Sequence, residues 1–187
     1  MTDPRPLRSQ PTRDRILTAA RQLFAEHGYD RTTIRLVAAA AAINPSLVMR
    51  YYGSKEGLFA AAATFDLRLP DLAALPRADV GRALVRHFLG RWEGPGSGDE
   101  LPSLLRAAVT HEVARERAFA IYREQIASAI ARLCPPATAE ISAALVATQI
   151  VGLALTRYVI RLPPVVALDA ETIIERVGTT IQSYLTE

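Results

Sequence analysis

The sequence predicts an all-α protein of about nine helices. Three observations carry that prediction. No stretch alternates apolar and polar residues with the period of a strand. Ala, Leu and Arg dominate, and all three are good helix formers. Apolar residues recur three and four positions apart between breaks made of Gly, Pro and Ser or Thr.

The elements follow in order. Thr12 caps "RDRILTAARQLFAEHG", whose Ile16, Ala19, Ala20, Leu23 and Phe24 share helical spacing, and Gly28 stops it. "YDRTT" reads as a linker, and Thr32 or Thr33 caps "IRLVAAAAA". "INP" leads into a short helix ending at Tyr52, with Pro45 suited to its first turn. "GS" breaks the chain, and Ser54 caps "KEGLFAAAATFDLRL". Pro70 and Pro76 bracket a loop, and residues 79–93 form an amphipathic helix ending at the flexible loop "EGPGSGDE". Helices follow at about 101–109 and 111–133, then a long one near 137–161 between Pro135-Pro136 and Pro163-Pro164. The last, 169–185, gathers Ile173, Ile174, Val177, Ile181, Tyr184 and Leu185 on one face. There is no internal repeat, and a boundary near 55–60 divides three small helices from a larger bundle.

Length and composition bound the function. A chain of 187 residues holds one large domain or a small one fused to a larger. With 50% hydrophobic and 22% charged residues it is globular rather than disordered. A lone cysteine, Cys134, rules out an internal disulfide framework and fits a reducing compartment, so a cytoplasmic protein is expected. The polar, basic N-terminus is no secretory signal. The most membrane-like stretch, residues 141–156, is 16 residues long with Gln149 inside it. A span needs about 20, so a buried helix is expected and no membrane partner.

Charge is uneven. Residues 1–60 hold eight Arg and one Lys against five acids, a net +4, whereas the remainder is −1. That asymmetry points to an anionic partner for the first third. Of the 22 basic residues 21 are Arg, a bias that a GC-rich genome produces. The one lysine, Lys55, therefore marks a local role.

Lys55 lies in "NPSLVMRYYGSKEGLF", residues 44–59, where the helix is under two turns long. Such a helix contributes too little to be kept for its own stability. A helix near 33–39, a turn and a helix at 45–52 have helix-turn-helix spacing, in which only the first turns of the second helix enter the major groove. Thr33, Tyr51, Tyr52, Ser54 and Lys55 supply phosphate donors. The alternative for the tyrosines is packing between helices, expected for Tyr52 more than for Tyr51.

At these residues a resemblance takes hold. "TRDRILTAARQLFAEHGYDRTTIRLVAAAAAINPSLVMRYYGSKEGLF" resembles, over 48 consecutive residues, the DNA-binding domain of the TetR family of transcriptional regulators. "LVATQIVGLALTRYVIRLPPV" with "IQSYL" is similar to an actinobacterial-type TetR C-terminal domain. The resemblance implies a flexible basic arm over 1–11, a helix-turn-helix domain over 12–58 with its motif at about 33–52, and a ligand-binding and dimerisation domain over 59–187. It implies Thr33 on a phosphate and Arg35 within reach of a base. Asn44, Pro45, Ser46, Leu47, Met49 and Arg50 would lie nearest the base edges, with Tyr51 and Lys55 on phosphates. Two positions depart from the family. Ala42 stands where glycine is usual; either the backbone is left-handed there, at a cost of about 1 kcal/mol, or a longer first helix re-forms the turn. Met49 replaces a Tyr or His, leaving an apolar contact with a thymine methyl in place of a phosphate hydrogen bond.

Catalytic patterns are missing. "HE" at 111–112 lacks the second histidine of a zinc helix, no nucleophile elbow, P-loop or Rossmann glycine pattern occurs, and Cys134 stands alone. No enzyme, metal or cofactor is expected. A chamber for a mostly apolar effector is expected among Phe88, Trp92, Arg106, Tyr122 and Gln149, which pair bulky aromatics with isolated polar groups. The apolar faces of the last two long helices, with Leu155, Ile174, Ile181 and Tyr184, suit a two-fold dimer. The sequence thus reads as a homodimeric repressor released from a palindromic operator by a small molecule. Its rivals are a constitutive DNA-binding protein with a solid core and, more distantly, a small helical enzyme.

Overall fold

The computed structural model describes residues 10–94 and 100–186, and the expected basic arm before Gln10 and most of the "EGPGSGDE" loop lie outside them. Among the described residues there are ten helical rods and no strand. They form two compact units. One holds residues up to Thr64 with those from 100 to Arg117; the other holds those from Phe65 to 94 and from Ala118 onward. The division after Thr64 lies beyond the expected boundary at 58–59, which falls inside a helix.

The first unit is built on α1 (Gln10–Arg31), which buries Ile16, Ala19, Ala20 and Phe24. Its backbone breaks at Gly28 (φ 76°), as the sequence suggests, but "YDR" returns to helix rather than forming a linker. Thr32, fully buried, donates its hydroxyl to the carbonyls of Leu23 and Gly28 at 3.0 and 2.8 Å. Thr33 caps α2 (Ile34–Ala40), accepting from the Leu36 N–H at 3.2 Å. α3 (Pro45–Tyr52) and α4 (Lys55–Ala62) begin at the caps Asn44 and Ser54. Leu58, Phe59 and Ala62 of α4 are buried against α1, and Phe59 meets Phe24 edge-on at 5.0 Å. α6 (Glu100–Ala108) also packs on α1, where the buried Ser103 donates to the Phe24 carbonyl at 2.7 Å. Each fully buried Leu, Ile or Phe contributes about 1.5–3 kcal/mol, enough to hold short helices that would not persist alone.

The α2–α3 turn settles the first departure. Ala42 is left-handed (φ 52°). The Ile43 N–H reaches the Ala38 carbonyl at 2.9 Å and the Ala42 N–H the Ala39 carbonyl at 3.0 Å. That pair of bonds is a Schellman motif, with Ala42 in the position glycine usually takes. Arg15 fixes it from α1 by donating to the carbonyls of Ala41 and Ala42.

α4 stops at Ala62, short of the expected Leu69. Arg21 donates to the Ala62 carbonyl at 3.2 Å and Arg117 to the Ala63 carbonyl at 2.9 Å. These distant guanidinium groups satisfy acceptors that a longer helix would have used internally.

The second unit centres on α5 (Val80–Glu93) crossing α11 (Ala170–Thr186). A methyl group on Gly81 would lie 2.2 Å from the Gly178 carbonyl oxygen, and one on Gly178 would lie 2.8 Å from the Arg82 Cα. The two backbones touch because neither residue has a side chain. Gln182 accepts from the Gly81 N–H and donates to the Arg77 carbonyl, both at 2.9 Å, and Arg82 forks onto Glu175 at 2.8 Å. α7 (Glu112–Ile121) runs through a π turn at Tyr122–Ala127 into α8 (Ser128–Ala131). α9 (Pro136–Ala154) ends in a second π turn, Leu155–Val159. The tenth rod, absent from the sequence reading, is α10 (Pro163–Val166), which starts on the prolines expected only to break the chain.

Two stability predictions follow. Ala42→Gly relieves a left-handed alanine, about 1–2 kcal/mol, against about 0.5–1 kcal/mol of added chain entropy. The melting temperature followed by circular dichroism should rise by a few degrees; a fall would mean the turn is not strained. Gly178→Ala should lose about 1–3 kcal/mol, because the α5–α11 crossing must open.

Candidate DNA-binding face and ligand cavity

α3 has one buried anchor, the fully enclosed Val48. Pro45, Ser46, Met49 and Arg50, spaced along the opposite side, are exposed. Asn44 uses its side-chain oxygen to accept from the Ser46 N–H and hydroxyl, at 2.9 and 2.8 Å, leaving its amide NH2 group for another partner. Leu47 is half-buried. Thr33 and Arg35 are exposed at the start of α2, beside Leu36. Met49 and Leu36 keep 44% and 45% of their surface open, an apolar pair set within the basic face.

The two tyrosines separate as the helix phase suggests. The Tyr52 hydroxyl donates to the Arg13 carbonyl at 3.4 Å, and burial raises its pKa. The Tyr51 ring lies near two guanidinium groups, Arg13 at 5.0 Å and Arg50 at 5.5 Å from its centroid. Arg13 is thus a further cation of this face, unmarked in the sequence because it lies about twenty residues before the motif at 33–52. Among the described residues no carboxylate comes within ion-pair distance of Arg13, Arg35 or Arg50.

Lys55 sits differently. Its ammonium donates to the Asp30 carbonyl at 3.1 Å and lies 4.4 Å from the centroid of the Tyr29 ring. The Tyr29 hydroxyl donates to Glu56 at 2.9 Å. Burial, then the Glu56 carboxylate, push the Tyr29 pKa up to about 12. Glu56 is held below its usual value by its own backbone N–H, Ser54 and Tyr29, so each partner stays in the state that makes the bond. His111 Nε2 is 3.2 Å from Asp30. Gly57 completes this corner, since a methyl group there would lie 2.2 Å from the Tyr52 carbonyl oxygen.

The expected effector chamber comes apart. Trp92 stacks on Tyr158 at 4.7 Å, Tyr122 on Phe119 at 6.2 Å, and Gln149 donates to the Tyr184 hydroxyl at 3.2 Å. Arg106 lies in the first unit, on an open cleft with Tyr29, Asp30 and His111. Of the five, only Phe88 lines a partly open apolar cavity in the second unit, about 60 Å³, with Leu67, Leu72, Leu84, Ile130 and Val146. His87 and Arg91 of α5 are its polar groups. The sequence reading missed them because it placed Leu67 and Leu69 on a helix.

The expected dimer residues also divide. Ile174 and Ile181 keep 5% and 0% of their surface open, sealed within a single chain by α5, so they offer nothing to a partner. Leu155 and Tyr184 are half-buried. The open apolar stripe is on α9, where Ile141 (65%), Leu145 (39%) and Val151 (38%) lie exposed with Thr148 and Gly152. The rod Pro136–Val159 is long and apolar enough to cross a membrane.

Comparison with known proteins places these features. Residues 16–62 match the family model of bacterial regulatory proteins of the tetR family, and residues 78–185 match the tetracyclin repressor-like C-terminal domain. The HTH-type transcriptional regulator UidR of Escherichia coli (strain K12) is 31% identical over 65% of this chain and 54% of its own length. The HTH-type transcriptional repressor AcnR of Corynebacterium glutamicum is 40% identical over 45% of this chain and 42% of its own. The chain thus spans about half the length of the curated relatives it matches. The crystal structure of a TetR-family regulator from Streptomyces coelicolor A3 superposes with a TM-score of 0.68 at 34% identity, over 100% of both chains. That of the multidrug binding protein EbrR, complexed with imidazole, gives 0.71 at 26% identity over 92% of this chain and 90% of the other. With one family model matching the helix-turn-helix and another the helices of the C-terminal domain, this chain belongs to the TetR family of bacterial transcriptional regulators.

Proposed function

We propose that this regulator is a homodimeric repressor that binds a palindromic operator through α2 and α3 and leaves it when a small, mostly apolar molecule occupies the second unit. The observation that carries the first part is the open face of α3. Arg50 on that helix, Arg13 beside Tyr51 and Arg35 at the start of α2 have no acidic partner among the described residues, and the N-terminal N–H groups of α3 favour anions. Thr33, Asn44, Ser46 and Tyr51 add phosphate or base donors, and Pro45, Leu47 and Met49 give apolar contact. Lys55 reaches a phosphate only by sharing its ammonium with Asp30, and two of its three N–H groups are left for that.

The second copy docks on the α9 stripe. Ile141, Leu145 and Val151 open one side of a helix with Thr148 and Gly152 between them, small enough for close approach. Burial against a partner copy, rather than lipid, accounts for the apolar length of this rod, and a cytoplasmic protein bound to the chromosome is the matching location. Release requires the effector to bind the form that does not hold DNA more tightly than the form that does. The cavity supports the effector reading but is small, so an occupant must open it. The likeness to a multidrug binding protein that holds a small molecule supports the same reading.

Binding to promoter fragments, measured by fluorescence anisotropy over a range of salt, tests the face. Arg35→Ala or Arg50→Ala should cost about 1–3 kcal/mol on the cognate site and less on random DNA where the side chain reads a base. Lys55→Ala should weaken all sequences alike and lower the salt slope by about 0.9. An unchanged slope would confine Lys55 to the corner with Tyr29 and Asp30.

Assembly has its own discriminating pair. Leu145→Glu places a charge on an exposed position, so the chain should fold, run as a monomer in light scattering and bind operator weakly. Ile181→Glu buries an unpaired carboxylate in the protomer, a loss of about 3–5 kcal/mol, and should unfold the bundle instead. A dimeric Leu145→Glu protein would move the interface off α9.

A further inference from the structure

We infer that the effector is a small carboxylic acid with an apolar body, held by Arg91 and His87. The inference rests on the effector reading above and deepens it. These two residues are one helical turn apart on α5, face the same way and are the polar groups of an otherwise apolar cavity. Arg91 is under-satisfied. Its Nε–H is shielded from solvent and has no acceptor, and its Nη2 reaches only the Asp66 carbonyl, at a long 3.3 Å. Among the described residues no carboxylate comes within ion-pair distance of it. A guanidinium cannot shed its proton, so its charge stays beside an apolar cavity without a counter-ion.

A neutral apolar occupant would leave that charge as it is. A carboxylate would compensate it, and the planar fork of arginine matches two carboxylate oxygens. His87 Nε2 donates to the Leu67 carbonyl at 2.8 Å, so it too already serves an oxygen acceptor that a carboxylate can replace. The apolar side chains of the lining, Leu72, Leu84, Phe88 and Val146 among them, fit a hydrocarbon body rather than a sugar or a nucleotide.

The same contacts explain entry. Residues 65–70 have no regular structure, and Arg68 within them is left-handed (φ 52°), a strained state for that residue. Side chains hold the segment by its backbone. Gln125 donates to the Phe65 carbonyl at 2.6 Å and accepts from the Leu67 N–H at 2.7 Å, while His87 and Arg91 hold the carbonyls of Leu67 and Asp66. An acid that takes His87 and Arg91 for itself removes two of these four bonds. The cavity opens along Leu67 and Leu69 as it fills.

Calorimetric titration of the full chain with benzoate and hexanoate, each against its isosteric amide, tests the inference. The acids should bind at least tenfold more tightly than benzamide and hexanamide. Arg91→Gln should erase that preference while leaving amide binding in place, and Arg91→Lys, which keeps the charge without the fork, should retain part of it. Trp92, 5.4 Å from Phe88, reports occupancy by its emission. Amides that bind as tightly as the acids would overturn the carboxylate and leave the effector reading standing. Should neither class bind, and should Ala129→Phe, which fills the cavity wall, leave DNA affinity unchanged, the effector reading would fall with it.

Discussion

The constraint on which both units depend is the disposal of carbonyl groups at helix ends. Short helices leave a large share of their carbonyls without an internal partner, and burying them unpaired is costly. This chain meets the demand with arginine. Arg15 takes the carbonyls of Ala41 and Ala42, Arg21 that of Ala62, and Arg117 that of Ala63. In the second unit Arg77 takes those of Leu133 and Leu185, and Arg157 those of Val165, Val166 and Leu168. The excess of arginine over lysine is therefore more than genome composition. A guanidinium offers five donors in a fixed fork and can join two or three carbonyls at once, which an ammonium does with less geometric control.

That division of labour also shows which cations are left over. Once the arginines bound to carbonyls or paired with acids are set aside, the described residues of the first unit keep Arg13, Arg35 and Arg50, carried by the helices of the helix-turn-helix domain, and Arg106 on the cleft beside Tyr29. Net charge alone would have weighted Arg15 and Arg21 equally with them. Lys55 belongs to neither group cleanly. It ties the start of α4 to the end of α1 through Asp30 and Tyr29, so its place as the one lysine has a structural reason beside the proposed phosphate contact. The tie links residues 25 positions apart and fixes how α4 begins, directly after the recognition helix.

What the sequence disclosed was local. Thr33, Asn44 with Pro45, and Ser54 announce helix starts because a cap acts within three residues of itself: Ser54 caps as read, Thr33 is the capping one of the two threonines, and Asn44 caps the helix that Pro45 opens, whereas Thr12 lies inside α1, which starts at Gln10, and caps nothing. The fold class and the helix-turn-helix followed from such signals. What stayed hidden depends on distant partners. Nothing in "AAAATFDLRL" shows that Arg21 and Arg117 will bind the carbonyls where the helix ends at Ala62, or that Gln125 and His87 will hold the next residues out of a helix. That one error in helix length carried the cavity with it, since Leu67 and Leu69 cannot line a chamber from the phase of a helix. Two of the aromatics expected at the chamber stack on other rings instead, Trp92 on Tyr158 and Tyr122 on Phe119.

The last two long helices show why apolar content alone does not tell which apolar side chains are left open. α11 has one apolar side and one polar side, and α5 consumes the apolar one through the contact of Gly81 with Gly178. Its outer side, with Glu175, Thr179 and Ser183, is already suited to water. α9 is apolar on nearly every side, and the protomer has only enough partners for Ser142, Ala143, Val146, Leu153 and Ala154. The surplus of Ile141, Leu145 and Val151 is of little use to a lone chain in water. Each helix thus carries its own account of where it is satisfied: a strongly one-sided helix completes itself inside the protomer, and an evenly apolar one leaves a remainder. In the proposed dimer that remainder is what a second copy covers, and α11 joins the assembly by supporting α9 from behind through Tyr184 and Gln149 rather than by offering its isoleucines.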